Sequence, residues 1–310
     1  MKVILEQRSN FLVKVLTVTL TLFGTAITLS QIGKAILEGY SSHLGVGMAI
    51  GLFLLGLGQT RILKEILESC LFYQRSQIKI WIFLLPIISG GAIVLLRLNV
   101  TYEFWRRIES EGGLFEYGTS LAYILAFIFA IPIARYFYQA KQKRLGFFYY
   151  FMAGCFLFVG LEELSWGQHL FTWQSPEFFE AYNAQQETTI HNLVWINEYT
   201  DYGYWILGLL GGIAWLFSSR MKHWQSRVYF IPDWYLSSFF FMVFYSYAIG
   251  AFDRKIQSFF QSSNLEFLSP FVLPFGEFSE LLLGLGFLLF VLVIYLRQAI
   301  YSDNSKKARN

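Results

Sequence analysis

Ser279-Glu-Leu-Leu-Leu-Gly-Leu-Gly-Phe-Leu-Leu-Phe-Val-Leu-Val-Ile-Tyr-Leu296 runs for 18 residues with a single charged side chain, Glu280, near its start. Wound as an α-helix, such a run is apolar on every face and offers no side to water. About 20 residues of this kind cross the ~30 Å hydrocarbon layer of a bilayer, and a helix satisfies its own backbone donors and acceptors there. The stretch therefore reads as a transmembrane helix.

Working outward from it, seven further runs have the same character: Phe11–Ser30, Leu44–Gln59, Ile80–Leu98, Thr119–Tyr138, Phe147–Leu164, Tyr202–Phe217 and Tyr235–Phe252. The second and sixth are short and glycine-rich. Their glycines stand four apart (Gly47 and Gly51, Gly208 and Gly212), a spacing that lets two helices approach closely. The expected fold is an all-α, polytopic transmembrane helix bundle of about eight spans. Residues 1–301 are expected to form a single transmembrane domain and residues 302–310 a polar tail.

Composition agrees. Of the 310 residues, 55% are hydrophobic and only 15% charged, against ~25% charged in soluble domains. The net charge of +3 and the scatter of basic residues in short clusters argue against a nucleic-acid partner. Cys70 and Cys155 are far apart in sequence and form no CxxC, so two free thiols are expected and no zinc knuckle. Lys2, Arg8 and Lys14 before Leu16–Leu29 resemble the start of a signal peptide, but Gln31 and Lys34 interrupt the run. It reads as an uncleaved first span.

Charge sets the orientation. With the N-terminus inside, the cytoplasmic segments hold 18 of the 24 Lys and Arg but only five of the 21 Asp and Glu. Positive residues mark the cytoplasmic side, so both termini are expected in the cytoplasm, in a membrane such as the bacterial inner membrane.

The stretch that invites chemistry is Leu161-Glu-Glu-Leu-Ser-Trp-Gly-Gln-His-Leu-Phe171, followed by Glu187-Thr-Thr-Ile-His-Asn192. The loop from Ser165 to Asp201 contains no Lys or Arg, yet it carries Glu177, Glu180, Glu187, Glu198, Asp201, His169 and His191. Ser175-Pro176-Glu177 reads as an N-cap, a first-turn proline and a first-turn acid, opening a short helix through about Tyr182. With Trp166, Trp173 and Trp195 as anchors, this extracytoplasmic loop is expected to fold onto the membrane.

Glu162 and Glu163 end an apolar span at a helix C-terminus, where the macrodipole disfavours negative charge, and adjacent carboxylates repel. Two accounts fit: a site that wants a cation or proton, or two side chains solvated in the headgroup layer. His169 and His191 add imidazole. On a helix, Glu187 and His191 would lie side by side. Glu162 and His169 converge only if the helix stops near Trp166-Gly167. Glu277, Glu280 and Asp253 are further candidates at the ends of spans seven and eight. The expected metal set is Glu163, His169, Glu187, His191 and Glu280. Carboxylate and imidazole groups of this kind hold zinc or iron, although HExxH and paired ExxH turns are absent. Asn183, Gln185, Gln186 and Asn192 could contact sugar hydroxyls, and Arg106 and Arg107 beside Trp105 read as an interfacial anchor.

Glu162-Glu-Leu-Ser-Trp-Gly-Gln168, Pro176-Glu-Phe-Phe179, Asn183-Ala-Gln-Gln-Glu187 and His191-Asn192 together resemble a family of uncharacterised bacterial multi-span membrane proteins. These carry an EE-x-SWGQ motif followed by a glutamate-to-histidine-asparagine motif. The resemblance covers about 30 residues and implies shared architecture and a shared site, but no reaction. The paired glutamates are also similar to the first motif of CAAX-type intramembrane proteases, EExxxR, but Gly167 stands where the arginine would be. The HxxxH pair of alkaline ceramidase-like hydrolases is absent. Two functions are thus expected to compete. One is an enzyme acting on a lipid or lipid-linked substrate, with Glu162, Glu163, His169, Glu187 and His191 as catalytic groups or ligands. The other is a non-catalytic membrane protein, a transporter or assembly partner, whose carboxylates bind protons or cations.

Overall fold

The structure, a computed structural model, describes residues 76–109, 113–218, 221, 225–248 and 276–307, with scattered helical positions between 15 and 32. The elements that follow are helices α1 (Ser76–Asn99), α2 (Tyr102–Glu109), α3 (Leu114–Gln139), α4 (Lys143–Glu162), α5 (Gln168–Phe171), α6 (Glu177–Tyr182), α7 (Val194–Ser218), α8 (237–248) and α9 (Gly276–Lys307). Beyond helices and turns, the described residues show one isolated β-bridge, Asn183 to Leu193.

Among the described residues, four helices are long and apolar enough to cross a membrane: Ile78–Arg97, Leu114–Gln139, Lys143–Glu162 and Gly276–Gln298. They coincide with the third, fourth, fifth and eighth expected spans and fit a membrane protein. The sixth lies within α7, and the seventh is described only as far as 248. The second, with Gly47 and Gly51, lies outside the described residues, as do Cys70, Asp253, His43 and His223. Helix α9 continues to Lys307, so the start of the polar tail is helical.

Two compact units emerge. The first comprises Met1–Ile78, Ser120–Gln174 and Phe287–Asn310. Its described core is aromatic. Phe287 of α9 packs on Phe156 (5.5 Å) and Tyr123 (6.3 Å), Tyr295 packs on Phe129 (5.8 Å), and Phe137 stacks on Tyr149 (5.9 Å). Close approach of α3 and α4 lets Ser120 Oγ donate to the Gly160 carbonyl at 2.6 Å. In an apolar interior that bond satisfies a hydroxyl that would otherwise be orphaned. Cys155 is a free thiol within α4.

The second unit comprises Lys79–Thr119 and Ser175–Gly286. Here α7 and α8 meet through glycines. A Cβ on Gly208 would come within 2.5 Å of the Phe244 nitrogen and 2.9 Å of the Phe240 carbonyl oxygen, so main chain touches main chain. Gly212 instead makes room for a side chain, since a Cβ there would come within 2.9 Å of the Phe241 ring. The Gly208/Gly212 spacing is thus a helix-packing device. Trp105, the neighbour of Arg106 and Arg107, is buried. It packs on Phe115 (6.4 Å) and donates its Nε1–H to Glu109, with the Arg97 guanidinium 5.3 Å over the ring.

Candidate functional site

In the second unit, Gly276 opens α9 with φ +39°, a left-handed conformation that suits glycine, and a Cβ there would stand 3.2 Å from Glu109 Oε1. That turn places Glu277 in the first turn of α9 and Glu280 one turn later. Carboxylate oxygens of the two lie within 4.8 Å of each other. The positive end of the helix dipole favours acids here.

Glu280 is held from two sides. Tyr204 of α7 donates to its Oε2 at 2.9 Å and Tyr247 of α8 to its Oε1 at 2.5 Å. The two phenol rings stack at 4.8 Å, 15° from parallel. The glycine-mediated approach of α7 and α8 is what brings both hydroxyls to one carboxylate. Glu280 thus points at neighbouring helices, and His191 and Asp201 act electrostatically on it. Glu109, Glu116 and Glu187 join Glu280 in acting on Glu277. Of the expected residues, Glu187 and His191 thus lie within electrostatic reach of the Glu277–Glu280 pair, Glu187 acting on Glu277 and His191 on Glu280.

Glu187 and His191 reach this place without a helix. The segment 183–193 is a looped turn, so the side-by-side arrangement expected from their spacing of four is corrected. The reason is Asn183. Its Oδ1 accepts from the Gln185 (2.9 Å) and Glu187 (3.2 Å) amides, while its Nδ2 donates to Thr189 O (2.7 Å) and Oγ1 (3.1 Å). A short amide side chain competing for backbone groups in this way replaces the helical ladder. Main-chain bonds from Ala184 N to Asn192 O (2.8 Å) and from Leu193 N to Ile190 O (3.1 Å) close the loop, and Thr200 Oγ1 of α7 donates to the His191 carbonyl at 3.4 Å. Asn192 donates its amide to Gln185 Oε1. Asn183, Gln185 and Asn192, considered above as sugar contacts, are spent on folding the loop. Ser175 departs from expectation too. Pro176 occupies the N-cap position of α6, and the Ser175 hydroxyl donates to the Gln186 carbonyl at 2.5 Å.

In the first unit, α4 stops at Glu162, with Glu163 as its C-cap. Ser165, Trp166 and Gly167 follow with φ of +47°, +54° and +88°, a left-handed run that turns the chain before α5. The helix thus ends just before Trp166-Gly167, which is the condition set above for Glu162 and His169 to converge. Glu162 and Glu163 are 3% and 5% exposed, so the account in which both are solvated is overturned. Glu162 Oε1 accepts from Trp166 Nε1 at 2.6 Å, and the Trp166 ring meets Phe158 edge-on at 6.1 Å. His169 lies in the last turn of α5, half-buried.

Sequence reasoning missed Tyr204, Tyr247 and Glu109. The available signal was a tyrosine inside an apolar run, since a buried phenol hydroxyl needs a partner. Compared with known proteins, the chain matches no family model, no curated protein and no solved structure.

Proposed function

We propose that this is an integral membrane protein of about eight spans whose Glu/His cluster in the second unit binds a divalent cation, zinc or iron, and serves an enzyme acting on a lipid or lipid-linked substrate. The observation that carries this reading is Glu280: a carboxylate inside an apolar helix, oriented by two tyrosines and one turn from Glu277. Ionisable groups at membrane depth are costly and mark function by default. Glu277, Glu280, Glu187 and His191 supply the oxygen and nitrogen donors that such ions take. Bound there, a cation would supply Lewis acidity to the substrate. The tyrosines would keep the Glu280 carboxylate in register, and His191 would accept or deliver a proton. The charge asymmetry of the sequence supports an outward-facing site with both termini in the cytoplasm. Glu162, Glu163 and His169 are to be tested by their own variants.

Metal analysis of detergent-purified protein tests the reading, with Glu280→Gln and His191→Ala alongside. Zinc or iron in stoichiometric amount in the native chain, lost in both variants, is expected. Equal metal in all three overturns it. A second reading, a non-catalytic proton or cation site, is favoured by one detail: both Glu280 oxygens already accept phenol hydrogens. Mass spectrometry of lipids from cells with and without the chain separates the two, since only the enzyme alters lipid composition.

A further inference from the structure

Helix α7 carries a stripe that nothing in the second unit covers. Trp195, Tyr199, Tyr202, Ile206 and Leu210 are spaced by four, three, four and four, which keeps them on one helix face. All are exposed, from Ile206 at 47% to Tyr199 at 68%. The opposite face is the one that Gly208 and Tyr204 turn toward α8.

The stripe changes character along its length. Its first three members are aromatic with a polar edge, and those further along are aliphatic. Eleven residues separate Trp195 from Ile206, or about 16 Å of helix rise. A gradient from indole and phenol to branched aliphatic over that distance matches the passage from headgroup layer to hydrocarbon.

At its aromatic end the stripe widens. Phe178 and Tyr182, four apart on α6, join Trp195 in a three-ring cluster, with centroids 5.3 Å (Phe178 to Tyr182), 6.2 Å (Phe178 to Trp195) and 5.8 Å (Tyr182 to Trp195). All three side chains remain about half exposed. Glu180 stands on the far side of α6 and is exposed as well.

We propose that α6 and Trp195 form an interfacial anchor that lies in the lipid headgroup layer, with Phe178 and Tyr182 toward the acyl chains and Glu180 toward water. The occupant is lipid because the cluster is continuous with the exposed aliphatic face of α7. The anchor also has a consequence for the site. Asn183, which shapes the loop of Glu187 and His191, directly follows Tyr182, so the depth of α6 sets the depth of that loop. A substrate drawn from the bilayer would meet it at headgroup level. The anchor rests on membrane insertion and not on the cation reading, so metal content does not bear on it.

Spin labels at 178, 180 and 182, in a Cys70→Ser, Cys155→Ala background reconstituted into phosphatidylcholine vesicles, test the placement. The ratio of oxygen to nickel-chelate collision is expected to be several-fold higher at 178 and 182 than at 180. Equal ratios at all three positions, or a higher one at 180, overturn the proposal. Since labelling removes rings of the cluster, hydroxyl-radical footprinting of the unmodified protein in lipid nanodiscs provides a second reading. Oxidation of Phe178 and Tyr182 as slow as that of the buried Trp105 supports lipid cover. Rates several-fold above Trp105 place both rings in water and overturn it.

Discussion

The two units each hold a pair of buried or part-buried glutamates at a helix end, and they hold them differently. Glu162 and Glu163 are adjacent, sit at the C-terminus of α4, and lead into three left-handed residues. Glu277 and Glu280 are one turn apart at the N-terminus of α9, with phenol donors on both oxygens of Glu280. The helix dipole opposes the first pair and favours the second. Trp166, which binds Glu162, is four residues away in sequence, whereas Tyr247 and Tyr204 are 33 and 76 residues from Glu280. A carboxylate supported locally is bound by the turn that follows it. One supported from two other helices can report on, and depend on, the packing of the whole unit.

The comparison breaks most sharply at these donors. Tyr204→Phe with Tyr247→Phe removes both phenols from Glu280 and is expected to cost about 2–4 kcal/mol, the range for leaving a low-dielectric carboxyl group unsatisfied. Trp166→Phe removes one donor beside the exposed Trp166 ring and is expected to cost about 1 kcal/mol. Melting of the detergent-solubilised protein, followed with a thiol-reactive dye, ranks the two. A larger loss for Trp166→Phe would reverse the assignment of the better-integrated carboxylate.

Next in size is helix spacing. Gly208→Ala drives a methyl group into the main chain of α8, which neither helix can relieve by a rotamer change, and is expected to cost about 1–3 kcal/mol. Gly154→Ala in α4 meets nothing within 4 Å. It should be neutral or slightly stabilising, since alanine is the better helix former. If the two variants melt alike, close approach of α7 and α8 is not what positions Tyr204 and Tyr247.

How much of this was legible follows from the range of the signals. Four long apolar helices could be read because an apolar run of about 20 residues is a property of composition alone. A break near Trp166-Gly167 was legible only as something Gly167 permits, since glycine tolerates a turn without requiring one. The Asn183 loop could not be read in the same way. Asparagine in a polar loop is common, and only in the folded chain do its two side-chain atoms satisfy groups on three other residues. The same holds for Tyr204 and Tyr247. Each looked like one more aromatic in an apolar run, and their joint use of Glu280 depends on three helices meeting. Spacing arguments even misled at Glu187 and His191, because the interval of four presumed a helix that Asn183 prevents.

Asn183 itself gives a smaller, more local test. Asn183→Ala removes both acceptor and donor functions. Hydrogen exchange at the Gln185 and Glu187 amides should quicken, and cation retention at the proposed site should fall with it. Asn183→Asp keeps the Oδ1-type acceptor for both amides but loses the donor to Thr189. It should preserve slow exchange at these two amides. Were the Ala variant to leave exchange at Gln185 and Glu187 unchanged, Asn183 would not be what holds the loop.

The smallest effect compares the left-handed residues of the two units. Among the described residues of the second unit, Gln186 is the left-handed residue that is not glycine, at φ +59° and exposed; its N–H donates to Asn183 O at 3.1 Å, and its carbonyl accepts from Ser175. A left-handed non-glycine residue costs roughly 1–2 kcal/mol. Gln186→Gly relieves that cost while keeping both main-chain bonds, but it adds about 0.5–1 kcal/mol of backbone entropy to be lost on folding. The net expectation is a gain of a few tenths of a kcal/mol, or about zero. Trp166→Gly relieves comparable strain at φ +54° in the first unit, yet it also deletes the hydrogen bond to Glu162 and the contact with Phe158. A small net loss, about 1 kcal/mol, is expected there. The sign is therefore what matters: glycine should be tolerated at 186 and penalised at 166. Melting curves of the two variants decide it, and a loss at 186 as large as at 166 would mean that the Gln186 side chain, like the indole, is itself part of what holds its turn.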